Sequence, residues 1–192
     1  MNLPVLNPVV KNAPLEKIIP DKLFLDLFEK SFEGYIYLTI QGKYGFEESI
    51  IIFSKGKIEG LIFLINGYDT EVFGKDAVNY CLNCFGAKYG ILNLFVLTED
   101  QIKLVLLFND KIKYSLAVTT KKDMSILKDI KYNETMIENL LKEKVQKEKT
   151  KKEVLDDLGL NDLLREWNWC DNNECNNQIN YKIFNKNIKY RR

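Results

Sequence analysis

The fold class predicted for this chain is α+β: a mainly antiparallel sheet, built from a three-stranded meander and one further strand, with helices packed on it and a helical C-terminal arm. Three observations predict it. From Tyr35 the apolar side chains take a period of two, and two further strand-forming runs, Phe46 to Phe53 and Ile58 to Ile65, follow across short turns. Between residues 74 and 85 the apolar spacing changes to three and four, as on one face of a helix. Beyond residue 132 the aromatic strand formers give way to a charged, helix-forming composition.

The elements follow in order. Residues 1–20 carry all four prolines, Pro4, Pro8, Pro14 and Pro20, which fix φ and remove donors, so an extended lead-in is expected. Asp21 precedes Phe24, Leu27 and Phe28 at helical spacing and reads as the cap of a short amphipathic helix ending near Ser31, with Gly34 as its breaker. Ile36, Leu38 and Ile40 then fall on one face of a strand whose other face carries Tyr35, Tyr37, Thr39 and Gln41. Gly42-Lys43-Tyr44-Gly45 and Ser54-Lys55-Gly56-Lys57 are turns that bracket a second strand, Phe46 to Phe53, and Ile58 to Ile65 forms a third. Strands joined this tightly pair antiparallel, because a parallel pair needs a long crossover.

Asn66-Gly67 ends the meander. Gly74 opens a helix with Ala77, Val78, Cys81, Leu82 and Phe85 on one stripe, expected to cover the sheet; Gly86 and Gly90 close it, and Ile91 to Leu97 returns as a strand. Thr98 and Gln101 form a capping box, and Ile102, Val105, Leu106 and Phe108 suggest a helix, although Val105 to Phe108 fits a buried strand equally well. The predicted organisation is a lead-in (1–20), an α+β domain (21–117), a linker (118–132), a charged helical region (133–169) and an asparagine-rich basic tail (170–192).

Gly34-Tyr35-Ile36-Tyr37-Leu38, Ile50-Ile51-Ile52-Phe53-Ser54-Lys55-Gly56-Lys57-Ile58 and Gly74-Lys75-Asp76-Ala77-Val78 carry a family likeness. With the order of elements over residues 21–109, they resemble the PATAN-type domain of bacterial response-regulator proteins. The whole first half is also similar to an archaeal family of unknown function. The PATAN resemblance implies an interaction or adaptor domain without an established active site. The chain departs from that pattern in lacking an attached acidic receiver pocket and in its charged helical tail.

The chemistry is defined first by an absence: the 192 residues include no histidine, which removes the commonest general base near neutral pH and the commonest zinc-enzyme ligand. Lys+Arg 28 against Asp+Glu 27 leaves a net charge of +1, too small to steer the whole molecule to nucleic acid or an anionic membrane. The N-terminal residues do not read as a secretory signal, and no apolar run approaches a membrane span, so a cytoplasmic protein without cofactor or membrane partner is expected.

Cys81-x-x-Cys84 with Cys170 and Cys175 could furnish four thiolates for zinc. The favoured reading is core and surface thiols, since Cys81 lies on an apolar helical stripe and the pair is not at a helix N-terminus, where a redox Cys-x-x-Cys would be placed. Gly42 to Gly45 matches the GxxG backbone clamp of a nucleic-acid-binding loop only superficially, because that loop joins helices and this one joins strands. Asp69, Glu71 and Asp76 are candidate acids for an enzyme, the weakest of the readings, because loop acids are usually solvated.

The favoured function is a non-catalytic protein-interaction or adaptor module. Met136, Ile137, Leu140, Leu141 and Val145 form a narrow apolar stripe suited to a groove in a second chain or to self-association as a dimer. The alternative is a nucleic-acid-associated protein acting through Tyr181, Lys182, Phe184, Lys186, Lys189, Tyr190, Arg191 and Arg192, where cations alternate with stacking rings and no acid intervenes.

Overall fold

The structure, a computed structural model, describes residues 3–4, 6–116 and 130–157. The chain divides into two compact units, residues 1–141 and residues 142–192. The element order is β1 (Val10–Pro14), α1 (Pro20–Glu29), β2 (Gly34–Gly42), β3 (Gly45–Ser54), β4 (Lys57–Ile65), β5 (Thr70–Phe73), α2 (Gly74–Cys84), β6 (Gly90–Val96), α3 (Glu99–Phe108), β7 (Lys113–Leu116) and α4 (Glu134–Asp157). Of the second unit, the described residues 142–157 are helical and belong to α4.

In the first unit the strands form one sheet in the order β1-β6-β2-β3-β4-β5, every pair antiparallel. β7 lies off this path and also pairs with β4. The outer edge of β4 is therefore shared, β5 along Ile62 to Ile65 and β7 at Ile58 and Gly60. The α+β class and the β2-β3-β4 meander agree with the sequence pattern. The β3–β4 turn has both central residues at positive φ, Lys55 at 51° and Gly56 at 76°, the backbone of a tight hairpin whose twist matches its strands.

Both faces of the sheet are covered. On one, Ile36, Leu38 and Ile40 of β2, Ile51 and Phe53 of β3 and Leu61, Phe63 and Ile65 of β4 pack with Phe24 and Leu27 of α1 and Ala77, Cys81 and Cys84 of α2. On the other, Tyr35, Ile50, Ile52 and Ile62 pack with Ile102 and Val105 of α3. Ile50, Ile51, Ile52 and Phe53 are consequently all buried, which is why this segment reads as a continuous apolar run and not an alternating one.

Besides the added strands β5 and β7, the start of the chain differs from the sequence expectation. The lead-in supplies an edge strand, β1, bulged between Val10 and Ala13, with Pro8 ahead of it and Pro14 as its last residue, which suit an edge because an edge strand tolerates missing donors. Leu15 is also in the core, so the folded domain starts before residue 21. α1 begins two residues earlier than expected, with Pro20 in its first turn and no side-chain cap, so Asp21 is a first-turn acid, not the cap. The run Val105 to Phe108 is helical, and the Thr98–Gln101 capping box is present in both directions.

Phe63 is fully buried and stacks on Tyr80 with ring centroids 5.2 Å apart. Phe63→Ala is expected to destabilise the chain by ~3–5 kcal/mol in chemical denaturation. Val9→Ala, at a position 61% exposed, is expected to change stability by no more than about 0.5 kcal/mol. Similar effects for the two would contradict this placement of the core.

Candidate functional site

The most unusual chemistry of the domain is buried. β3 alternates, so the residues that share the α2 side with Ile51 and Phe53 are Ser49 and Glu47, and both are fully buried. The Tyr132 hydroxyl donates to Glu47 Oε1. Glu47 Oε2 and Ser49 Oγ have no hydrogen-bond partner among the described residues. The Cys81 thiol donates to the Ile62 carbonyl at 3.2 Å, and Cys84, also fully buried, lies one turn further along α2. Gly42 closes the cluster from β2: a Cβ there would meet the Glu47 carboxyl and the Tyr132 hydroxyl, which would both have to shift to admit it.

Tyr132 reaches this position because residues 130–141 are tied across the end of α2. Tyr132 N–H donates to the Gly86 carbonyl at 3.2 Å. Asn133 N–H donates to Asn83 Oδ1 at 2.7 Å, and Asn83 Nδ2 donates back to the Asn133 carbonyl at 3.4 Å. Asn133 Oδ1 accepts from Thr135 N–H at 3.0 Å and so caps the start of α4. Ile137 is fully buried in the core, Ile130, Leu140 and Leu141 pack against it, and Lys43 pairs with Glu134 at 3.7 Å on the surface.

Burial sets the electrostatics. It raises the Glu47 carboxyl above the usual carboxylate range, and the Tyr132 hydrogen bond opposes this. The Cys81 thiol is pushed up to about 12 by burial. Cys84 is also raised well above the usual thiol value, by burial first and then by Cys81 and Glu47. The Tyr132 phenol is raised by burial and by Glu47. Sealed from solvent, the cluster is suited to holding a proton, and its thiols are neutral donors, not nucleophiles.

The residues singled out from sequence are dispersed. Of the predicted interaction stripe, Ile137 is buried within the domain's own core, Leu140 and Leu141 pack against that core, Met136 is half-buried and Val145 is exposed. Asp69, Glu71 and Asp76 are exposed. Cys81 and Cys84 are core thiols, while Cys170 and Cys175 lie outside the described residues. Among the described residues, no three His, Cys, Asp or Glu side chains are placed to hold a metal ion. The basic tail, Tyr181 to Arg192, residues 118–129 of the expected linker and residues 158–169 of the expected charged helical region also lie outside them. No described helix is long and apolar enough to cross a membrane.

Sequence reasoning missed two features. Counting back in steps of two from Ile51 would have turned Glu47 inward, but nothing local marks Tyr132, 85 residues away, as its partner. The second is the outer face of α3, where Leu104, Leu107 and Phe108 are 51%, 66% and 75% exposed. Its signal was the unbroken run Leu104 to Phe108, too apolar for a helix covered on one side only.

The fold is thus a mixed domain in which helices cover both faces of an antiparallel sheet. The chain belongs to the family described as an uncharacterized protein conserved in archaea (DUF2226), whose model matches residues 1–109. No curated protein and no solved structure matches it. The matched residues include the sheet from β1 to β6 and α3, and they end before β7 and Tyr132. The match concerns the archaeal family and lends nothing to the PATAN likeness.

Glu47 also yields a pH prediction. Because its folded pKa is raised, the stability it contributes is complete below the unfolded carboxylate value and is lost as pH rises through the folded value. Relative to Glu47→Gln, which cannot ionise, the wild-type denaturation midpoint is expected to fall as pH climbs above the ordinary glutamate range. Parallel pH profiles for the two proteins would show that Glu47 ionises as easily folded as unfolded.

Proposed function

We propose that this chain is a non-catalytic protein-interaction module that binds through the outer face of α3, and that the partner is a second copy of the chain. The observation that supports this reading is the patch Leu104, Leu107 and Phe108, whose spacing sets the three side chains together on one helical face while Ile102 and Val105 point into the core. Charge placement favours a second copy. Asp100 stands one turn before the patch and Lys111 just beyond it, both exposed. Two α3 helices laid antiparallel about a two-fold axis bring Asp100 of each beside Lys111 of the other, with the apolar patch between them. A non-catalytic role is favoured by the exposure of Asp69, Glu71 and Asp76 and by the sealed position of Glu47, Cys81 and Cys84.

Sedimentation of the full chain is expected to give a dimer fraction that grows with concentration. The double variant Leu107→Ser/Phe108→Ser is expected to remain monomeric with an unchanged circular dichroism spectrum, since both side chains are exposed. A wild-type chain that stays monomeric throughout contradicts self-association, and a double variant that still dimerises excludes α3 as the surface.

A further inference from the structure

A buried acid with one oxygen unpartnered is an expensive thing to keep in a core, because the ionised form needs donors or water that the interior does not supply. The groups around Glu47 give the carboxylate little help. From α2 it faces the Cys84 thiol, and from residues 130–137 it faces Tyr132. Its cross-strand partners are Ile40 on β2 and Ile65 on β4, which carry no polar side chain. Lys43, on the β2–β3 turn with Tyr44, is engaged with Glu134 at the surface. Among the described residues no cation faces Glu47, which leaves its ionised form to be met by water.

The elements that keep water out are unequal. β2 and β4 are held to β3 by full ladders, and α2 buries Ala77, Cys81 and Cys84 against the sheet. Residues 130–133 are attached to the rest of the domain by the Tyr132–Gly86 backbone bond, the Asn83–Asn133 pair and the Tyr132–Glu47 contact. Ile130 and Tyr132 also pack on the core, but the segment has no ladder, so its few bonds open at lower free energy than the sheet.

We propose that residues 130–141 form a proton-controlled strap, closed by Tyr132 over neutral Glu47 and released from the end of α2 when Glu47 ionises and draws in water. The strap carries the start of α4, so release frees Ile137 and Leu140 from the core and makes the apolar stripe on that helix available. The upward shift of the Glu47 carboxyl agrees with this coupling, since whatever strains the ionised form in the closed state favours the open one.

Cys84, the last residue of α2, interacts with Tyr132 of the strap, while Cys81, a turn earlier, bonds to the Ile62 carbonyl of β4, so the two thiols report on different openings. Iodoacetamide labelling of the full-length native chain, read at each cysteine by mass spectrometry, gives a Cys84-to-Cys81 rate ratio. The ratio cancels the common rise of thiol reactivity with pH. It is expected to increase several-fold from mildly acidic to mildly alkaline buffer in the wild type and to stay constant in Glu47→Gln. Tyr132→Phe, which keeps the ring and loses the hydroxyl, is expected to raise the ratio already in acid. A wild-type ratio independent of pH, or one that rises equally in Glu47→Gln, overturns the proposal. So does a ratio near unity throughout, since both thiols would then be reached only by global unfolding.

Discussion

The rest of the domain depends on the two-sided burial of β3. Ile51 and Phe53 meet α1 and α2 while Ile50 and Ile52 meet the α3 side, so this central strand of ten residues gives four adjacent side chains to the two hydrophobic clusters, which its neighbours β2 and β4 also join. Apolar burial of a full isoleucine or phenylalanine side chain contributes roughly 1.5–3 kcal/mol each. The four adjacent residues Ile50 to Phe53 thus concentrate a large part of the stabilisation in one segment. β2 and β4 are fixed to it by ladders on either side, and the register of those ladders decides which face every other side chain takes.

That same alternation creates the conflict at the far end of the strand. With Ile51 inward, Ser49 and Glu47 must also turn inward, and the chain answers with Gly42, which leaves room, and Tyr132, which supplies one donor. The answer is partial, because Glu47 Oε2 and Ser49 Oγ are left without partners among the described residues. A functional explanation is attractive here because replacing both polar side chains by apolar ones of similar shape would relieve the burden.

What was legible in the sequence follows from range. The β2–β4 meander, α2 and the capped start of α3 are written in local periodicity and turn chemistry, and they were read correctly. β5 and β7 are four residues each and gain their identity from pairing with the outer edge of β4, which no local pattern announces. β1 was hidden by prolines that fit an edge strand as well as an irregular lead-in. Tyr35 and Tyr37 looked like an outward face, yet Tyr35 is buried and stacks on Phe95 at 4.5 Å, since tyrosine serves either environment. The candidate site was the least legible, because it consists of contacts between residues 42, 47, 84 and 132 and has no motif.

Native-state hydrogen exchange tests the central claim about β3 most directly. The amides of Ile50 to Phe53 are expected to exchange only through global unfolding, with protection at least equal to that of any amide in α1, α2 or α3. Exchange of these amides by local opening, while a helix remained protected, would contradict the account of β3 as the element on which both clusters are built.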